Sequence, residues 1–397
     1  MRVLFTFMLL IITANISVYA QLVDTPGNKQ LRISNSDSSI YVGINAGMQH
    51  LMMGALLLDA EIEGEEAEPA FLQRRARVAL VGAIPSSNIR AEFQAGFRNQ
   101  EIGYVKPTTA ANDLVVLDAV LKWNLFNNFE LWAGQAKLPG NRERVSSSFQ
   151  LQLADRSLSS QNYHLDRDIG LQAHYAFKIG NMVLKEAVAL SQGEGFDSGF
   201  GNVGGYNYTG RLELQPLGAF SGTGDQYLSD LVREDRPRLA IGAAYDYNDN
   251  ATRDRGQWGT YFTSEFTQRD LVTIVGDLLF KYNGLSISGE YINRSTDLVV
   301  VYTDSLSTLR EGAFQTGTGI AGQIGYLLRN DIEIAGRYSQ IRPDNATLQR
   351  DVSQATLGAS KYFASNHFRL QTDVSITDIE DATDPFLTWR IQLQWVL

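Results

Sequence analysis

From Leu387 to Trp395 the chain alternates without a break. Leu387, Trp389, Ile391, Leu393 and Trp395 interleave with Thr388, Arg390, Gln392 and Gln394. Successive side chains of a strand point to opposite faces, so this period reads as a β-strand with one apolar and one polar face. Phe368, Leu370, Thr372, Val374 and Ile376 alternate in the same way with Arg369, Gln371, Asp373 and Ser375. Leu285, Ile287, Gly289 and Tyr291 do so with Ser286, Ser288 and Glu290. A soluble antiparallel sheet with one wet face would show the same pattern. Alternation therefore fixes the element type and leaves open what the apolar face meets.

The joints decide more. Strands are predicted at 40–60, 70–83, 87–99, 113–124, 128–137, 168–178, 181–191, 204–217, 236–248, 270–282, 284–294, 314–328, 331–340, 354–363, 366–378 and 387–396. Tight turns are marked by Pro85-Ser86, Phe126-Asn127-Asn128, Gly180-Asn181, Asn283-Gly284, Arg329-Asn330 and Ser365-Asn366, and long polar loops lie between them. An even strand number with short and long connections in alternation is the pattern of a bacterial transmembrane barrel. The joint 217–235 falls where a short turn belongs and is long; the sequence offers no reason for it. Trp123, Tyr175, Phe177, Tyr245, Phe280, Tyr282, Tyr291, Tyr326, Tyr338, Trp389 and Trp395 lie on the apolar parity, often near strand ends. Amphipathic rings favour the headgroup level of a membrane.

Composition agrees. The 397 residues include 35 Gly, 17 Tyr and 19 Phe but only 9 Pro and no Cys. Residues 1–20, MRVLFTFMLLIITANISVYA, read as a secretory signal peptide with Val18-Tyr19-Ala20 at the cleavage site. The mature barrel domain is then 21–397, with no linker; the one low-complexity segment is the acidic run 61–68. An exported chain without disulfides needs a large core or an extensive hydrogen-bond ladder. The net charge of −10 argues against nucleic acid as a partner. No later segment is apolar enough for a membrane helix, a test that a barrel also passes.

Motifs for enzyme chemistry are weak. Gly317, Gly319 and Gly322 match GxGxxG, but they lie inside a predicted strand with no helix after it, so they are expected to relieve crowding on the barrel wall. Asp246, Asn248 and Asn250 have calcium-loop spacing without the required glycine or the twelfth-position Glu, and a solvated outer loop is the expectation. His50, His164, His174 and His367 form no zinc motif. Nothing singles out a Ser–His pair for a barrel lipase. The expectation is no enzyme activity and no cofactor or metal.

The longest outer loop, 138–166, contains RERVSSSFQLQLADR at 142–156. Its arginines and serines could present donors to an anion in a pore. Equally, it could be a surface loop whose Glu143 and Asp155 pair with neighbouring arginines. Four stretches add a family resemblance. Gln73-Arg74-Arg75-Ala76-Arg77, then Leu117-Asp118-Ala119-Val120-Leu121-Lys122, then Gly134-Gln135-Ala136-Lys137 with Arg142-Glu143, the serine run and Arg156-Ser157-Leu158, then Arg167-Asp168-Ile169-Gly170 are similar to the phosphate-selective porins O and P. The likeness is sharpest between about residues 70 and 180.

That resemblance implies a homotrimer of sixteen-stranded barrels whose third outer loop folds inward. It implies an anion site made of Ser147 and Ser148, the loop arginines Arg144 and Arg156, the wall arginines Arg74 and Arg75, and the wall carboxylate Asp118. Arg77 stands where the family has a tyrosine, which adds positive charge. Other lumen-parity positions are mixed: Arg90, Arg98, Lys122, Lys178, Arg211, Arg337, Arg369 and Arg390 against Glu92, Glu213, Asp246, Asp277, Glu290, Glu333 and Asp373. The chain ends in Leu397 where many such barrels end in an aromatic residue. The expectation is an all-β, 16-stranded antiparallel outer-membrane barrel in contact with lipid. It would pass small polar solutes by diffusion, with a bias to anions such as phosphate. The competing expectation is a structural or partner-binding barrel with a plugged lumen, whose outer loops, 253–267 among them, meet the partner.

Overall fold

In the computed structural model, residues 19–25, 28–35, 37, 39–57, 69–97, 114–196, 204–262, 268–302, 310–363, 366–382 and 384–397 are described. Residues 1–18 of the expected leader, the acidic run 61–68, Arg98, Ser365 and positions 263–267 lie outside the described residues. Sixteen strands form the closed antiparallel circuit of the main sheet: β1 Tyr41–Leu57, β2 Ala70–Ile84, β3 Ile89–Gly96, β4 Val115–Phe126, β5 Phe129–Lys137, β6 Arg167–Ile179, β7 Met182–Ser191 and β8 Asn207–Gln215. The circuit continues with β9 Arg238–Ala251, β10 Arg269–Tyr282, β11 Leu285–Thr296, β12 Gly317–Leu327, β13 Ile332–Pro343, β14 Val352–Phe363, β15 Phe368–Ile379 and β16 Phe386–Val396. Each begins and ends within three residues of the range predicted from alternation.

The sheet closes on itself. β16 pairs antiparallel with β1, from Phe386 opposite Leu57 to Val396 opposite Gly47. Closure leaves no open edge within this sixteen-strand circuit, so its backbone is satisfied by neighbouring strands, as a hydrocarbon surround requires. Below that seam the strand Asn28–Ser34 pairs with the first residues of β1 and with Tyr19–Thr25, an N-terminal hairpin that alternation did not predict. The tight turns use the residues that tolerate left-handed backbone: Asn283 (φ 48°) and Gly284 (φ 90°) join β10 to β11.

Burial inverts the order of a soluble protein. Along β15, Phe368, Leu370, Val374 and Ile376 are exposed, whereas Arg369, Gln371, Asp373 and Ser375 are buried. The apolar face is outside and the polar face inside. Trp123, Tyr175, Tyr245, Tyr282, Tyr291, Tyr326, Tyr338 and Trp395 all belong to the exposed set. The expectation of a solvated loop for Asp246 and Asn248 is corrected. Both lie on β9, 2% and 1% exposed, and Asp246 accepts from the side chains of Asn207 (2.8 Å) and Thr209 (2.6 Å). The extension of β9 to Ala251 carries them onto its polar face.

The long joint 216–237 now has a physical account. Phe220 and Leu228 pack in one buried cluster with Ala240 of β9, Leu279 of β10 and Leu151. Lys281 Nζ donates to the carbonyls of Gly224 (2.5 Å) and Ser229 (2.6 Å). Asp230 caps the far end by accepting from Gly284 N (2.7 Å). Burying side chains of this size stabilises by about 1.5–3 kcal/mol each. The joint is long because it carries its own anchors to the polar face.

Candidate functional site

The segment 138–166 between β5 and β6 holds two short helices, α1 Arg142–Val145 and α2 Leu158–Tyr163, with a 3-10 turn at Ser148–Gln150. Its serines first serve its own backbone. Ser147 Oγ accepts from Phe149 N (3.3 Å) while the Gln150 side chain accepts from Ser147 N (3.3 Å), a reciprocal cap. Ser157 Oγ accepts from Ser160 N (3.2 Å) at the start of α2. Arg156 donates through Nε to the Glu143 carbonyl (3.0 Å) and through Nη2 to that of Ser146 (2.9 Å). Lys137 Nζ donates to the carbonyls of Arg144 and Val145, both at 2.9 Å. Much of the donor richness of 142–156 thus holds one irregular backbone in shape.

The same segment is bonded to the polar faces of strands far apart in the circuit. Arg142 donates to Glu213 of β8 (2.6 Å) and Asp277 of β10 (3.0 Å). Asn141 donates to Glu290 of β11 (3.1 Å). Gln152 donates to Ser286 of β11 (2.7 Å) and Glu333 of β13 (2.6 Å). Arg369 of β15 donates to the Leu151 carbonyl (2.6 Å), and Asp373 accepts from Ala154 N (2.9 Å).

Wall glycines leave it room. A Cβ on Gly319 of β12 would lie 2.8 Å from Ser159 Cβ, one on Gly358 of β14 2.6 Å from Leu153 Cδ2, and one on Gly47 of β1 2.9 Å from Phe149 Cζ. Gly319, in the GxGxxG run, thus meets α2. Gly322 points the other way, and a Cβ there would meet nothing within 4 Å.

A cavity of about 200 Å³ lies between β2 and this segment. Arg74, Arg75, Arg77, Lys137, Arg144, Arg156, Arg167 and Arg255 line it with one carboxylate, Asp155. Of the residues predicted for an anion site, Arg74, Arg75, Arg144 and Arg156 meet here. Asp118 lines the adjoining cavity of about 750 Å³, where Arg167 binds it through Nε (2.8 Å) and Nη2 (2.9 Å). Ser147 lines that cavity too. Ser148 lines neither; it is 1% exposed, and its Oγ has no hydrogen-bond partner among the described residues. Gln161, Asn162, His164, Arg255 and Trp258 complete the smaller cavity and were not legible as site residues. They come from α2, its exit and the loop after β9, and only folding brings them together.

The charges are partly cancelled. Asp155 accepts from Arg74 Nη2 (2.8 Å), lies 3.8 Å from Arg75 Nη2, and reaches Arg390 Nη1 at 3.3 Å. Burial opposes its ionisation, but Arg74, Arg390 and Arg75 prevail and hold the carboxyl well below the usual carboxylate range. Arg144 is paired with Asp166. Arg156 has no carboxylate at ion-pair distance among the described residues; burial, and then Arg144 and Arg75, hold its guanidinium well below its ordinary value. Its protonated form is retained at a cost that an anion would relieve. His164 is held down at about 3 by burial and by Arg144. It stays neutral, stacked on Trp258 with ring centroids 4.8 Å apart; its Nε2 lies 3.6 Å from Asp166, and among the described residues neither ring nitrogen is within hydrogen-bond distance of a partner.

The adjoining cavity is of mixed sign. Glu92 binds Lys122 (2.5 Å), and Lys122 lies over the Trp132 ring at 3.8 Å. Arg211 binds Asp277 (2.6 Å) and Glu213 (3.2 Å). Among the described residues no group of three His, Cys, Asp or Glu could hold a metal ion.

Residues 49–219 match the family model described as phosphate-selective porin O and P. No match was found among curated protein sequences. Solved structures share the fold. OmpF of Salmonella typhi, in complex with daunomycin, is 12% identical with a TM-score of 0.56, covering 94% of this chain and 100% of its own. The anion-selective porin from Comamonas acidovorans is 10% identical with a TM-score of 0.55, covering 90% and 100%. The outer-membrane channel DcaP of Acinetobacter baumannii is 12% identical with a TM-score of 0.54, covering 91% and 99%. The barrel is a bacterial outer-membrane protein with the porin fold.

Proposed function

We propose that this barrel, whose residues 49–219 belong with the phosphate-selective porins O and P, passes small polar solutes by diffusion and favours anions such as phosphate. One observation carries the anion bias. Four arginines from two separate chain segments, Arg74 and Arg75 on β2 with Arg144 and Arg156 on 138–166, line one cavity that holds a single carboxylate. The segment 138–166 acts as the constriction loop. Its bonds to β8, β10, β11, β13 and β15 and the glycines opposite it support that role. The mechanism is electrostatic. Guanidinium groups replace part of the anion's hydration shell with two-pronged hydrogen bonds, and Lys137 adds a point charge. Affinity stays modest, because a site that holds its ion tightly blocks the path. The family resemblance extends the proposal to a homotrimer. The anion selectivity in the name of the Comamonas porin is that protein's property and is consistent with this reading.

Arg156→Ala tests the assignment. The variant is expected to lose anion preference, read as a shift of the zero-current potential in a chloride gradient toward zero. An unshifted potential moves the site elsewhere. A second reading, a plugged barrel that serves a partner, is favoured by the two segments, 138–166 and 216–237, that meet at Leu151, Phe220 and Leu228. An absence of conductance steps from the folded protein would select it.

A further inference from the structure

The cavity that would receive an anion already holds one. The Asp155 carboxylate lies among the wall guanidiniums, with Arg74 and Arg390 as donors and Arg75 alongside. Resting on the anion-selective reading above, we propose that Asp155 is a tethered competitor: its carboxylate occupies the wall guanidiniums between passages and is displaced by each incoming anion.

Three features support this. The backbone around the residue is pinned independently of the side chain. Arg337 Nη1 donates to the Asp155 carbonyl (2.8 Å), and the preceding Ala154 N donates to Asp373 (2.9 Å). The carboxylate can therefore leave its partners without moving the loop. Second, it is reachable. The Asp155 side chain is 18% exposed, whereas Asp166, which occupies Arg144 in a similar way, is 2% exposed and fixed. Third, displacement leaves no guanidinium stranded. Arg390 keeps Asp373 (2.5 Å) and Ser375 (2.7 Å), Arg75 keeps Gln49 Oε1 (2.7 Å), and the entering anion takes over the Arg74 donors that Asp155 gives up. A competitor of this kind weakens net binding while keeping the donors in place. It thus reconciles strong anion donors with fast release.

The test is phosphate block of single-channel chloride current in planar bilayers, for wild type and Asp155→Asn. The amide keeps the shape and removes the charge. The expected result is half-block at a phosphate concentration lower by roughly tenfold, the scale of one charge-assisted hydrogen bond, with longer blocked intervals. Asp155→Ser is read in the same way, so the outcome does not hang on one variant folding. Wild type blocked by phosphate, with both variants blocked at the same concentration, overturns the competitor and leaves the anion channel standing. Wild type indifferent to phosphate and unselective in a gradient overturns the functional reading and the competitor with it.

Discussion

Of the glycines expected to relieve crowding on the wall, Gly319 does so by letting α2 approach β12, whereas Gly322 faces open space. Valine at the two positions should therefore act differently. Gly319→Val forces Ser159 and Tyr163 off the wall, an overpacking cost of about 1–3 kcal/mol, and exposes 138–166 to protease. Gly322→Val leaves cleavage unchanged. Equal cleavage in both variants would separate α2 docking from Gly319. The serines carry a related lesson. The run at 146–148 suggested donors for a solute, and Ser147 Oγ also accepts from Phe149 N as a cap. Sequence supplies the donor types; it does not say whether backbone or solute receives them.

At the scale of elements, the sixteen strands were legible because period-two alternation and turn residues are local signals. The N-terminal hairpin was not, since the alternation of Leu31 and Ile33 with Arg32 and Ser34 is too short to stand out and Asn28–Ser34 is fixed by its pairing with β1 and with Tyr19–Thr25. The joint 216–237 resisted for the same reason: Lys281, Phe220 and Leu228 explain its length only once β9 and β10 lie beside it. It meets 138–166 both through Leu151 and through the Asp225 carbonyl, which accepts from Arg142 Nη1 (3.3 Å). Replacing 220–234 by a short Asn-Gly turn should raise single-channel conductance, because it removes one of two segments packed on the polar face. Unchanged conductance would place the limiting width entirely at 138–166. Of the residues that line the arginine-rich cavity, Arg74, Arg75, Arg144 and Arg156 were named through the family resemblance. His164, Trp258 and Arg255 were not, because they come from α2's exit and another loop.

For the whole molecule, the decisive property is which face is wet. Exposed Leu, Ile and Tyr outside and paired Arg, Asp and Glu inside make sense only for a barrel in lipid with a polar interior. The interior is close to balanced in its paired charges, as with Arg211 and Asp277 or Arg390 and Asp373, so selectivity cannot come from a general positive field. The proposed anion bias is therefore placed at the cavity between β2 and 138–166, where, among the described residues, eight cations line the wall with one carboxylate. The measurement that tests this most directly is the zero-current potential of the purified wild-type protein across a chloride gradient in a planar bilayer. The account predicts a potential of the sign set by chloride, collapsing toward zero in Arg156→Ala. A wild-type potential at zero, or of the sign set by potassium, would contradict it.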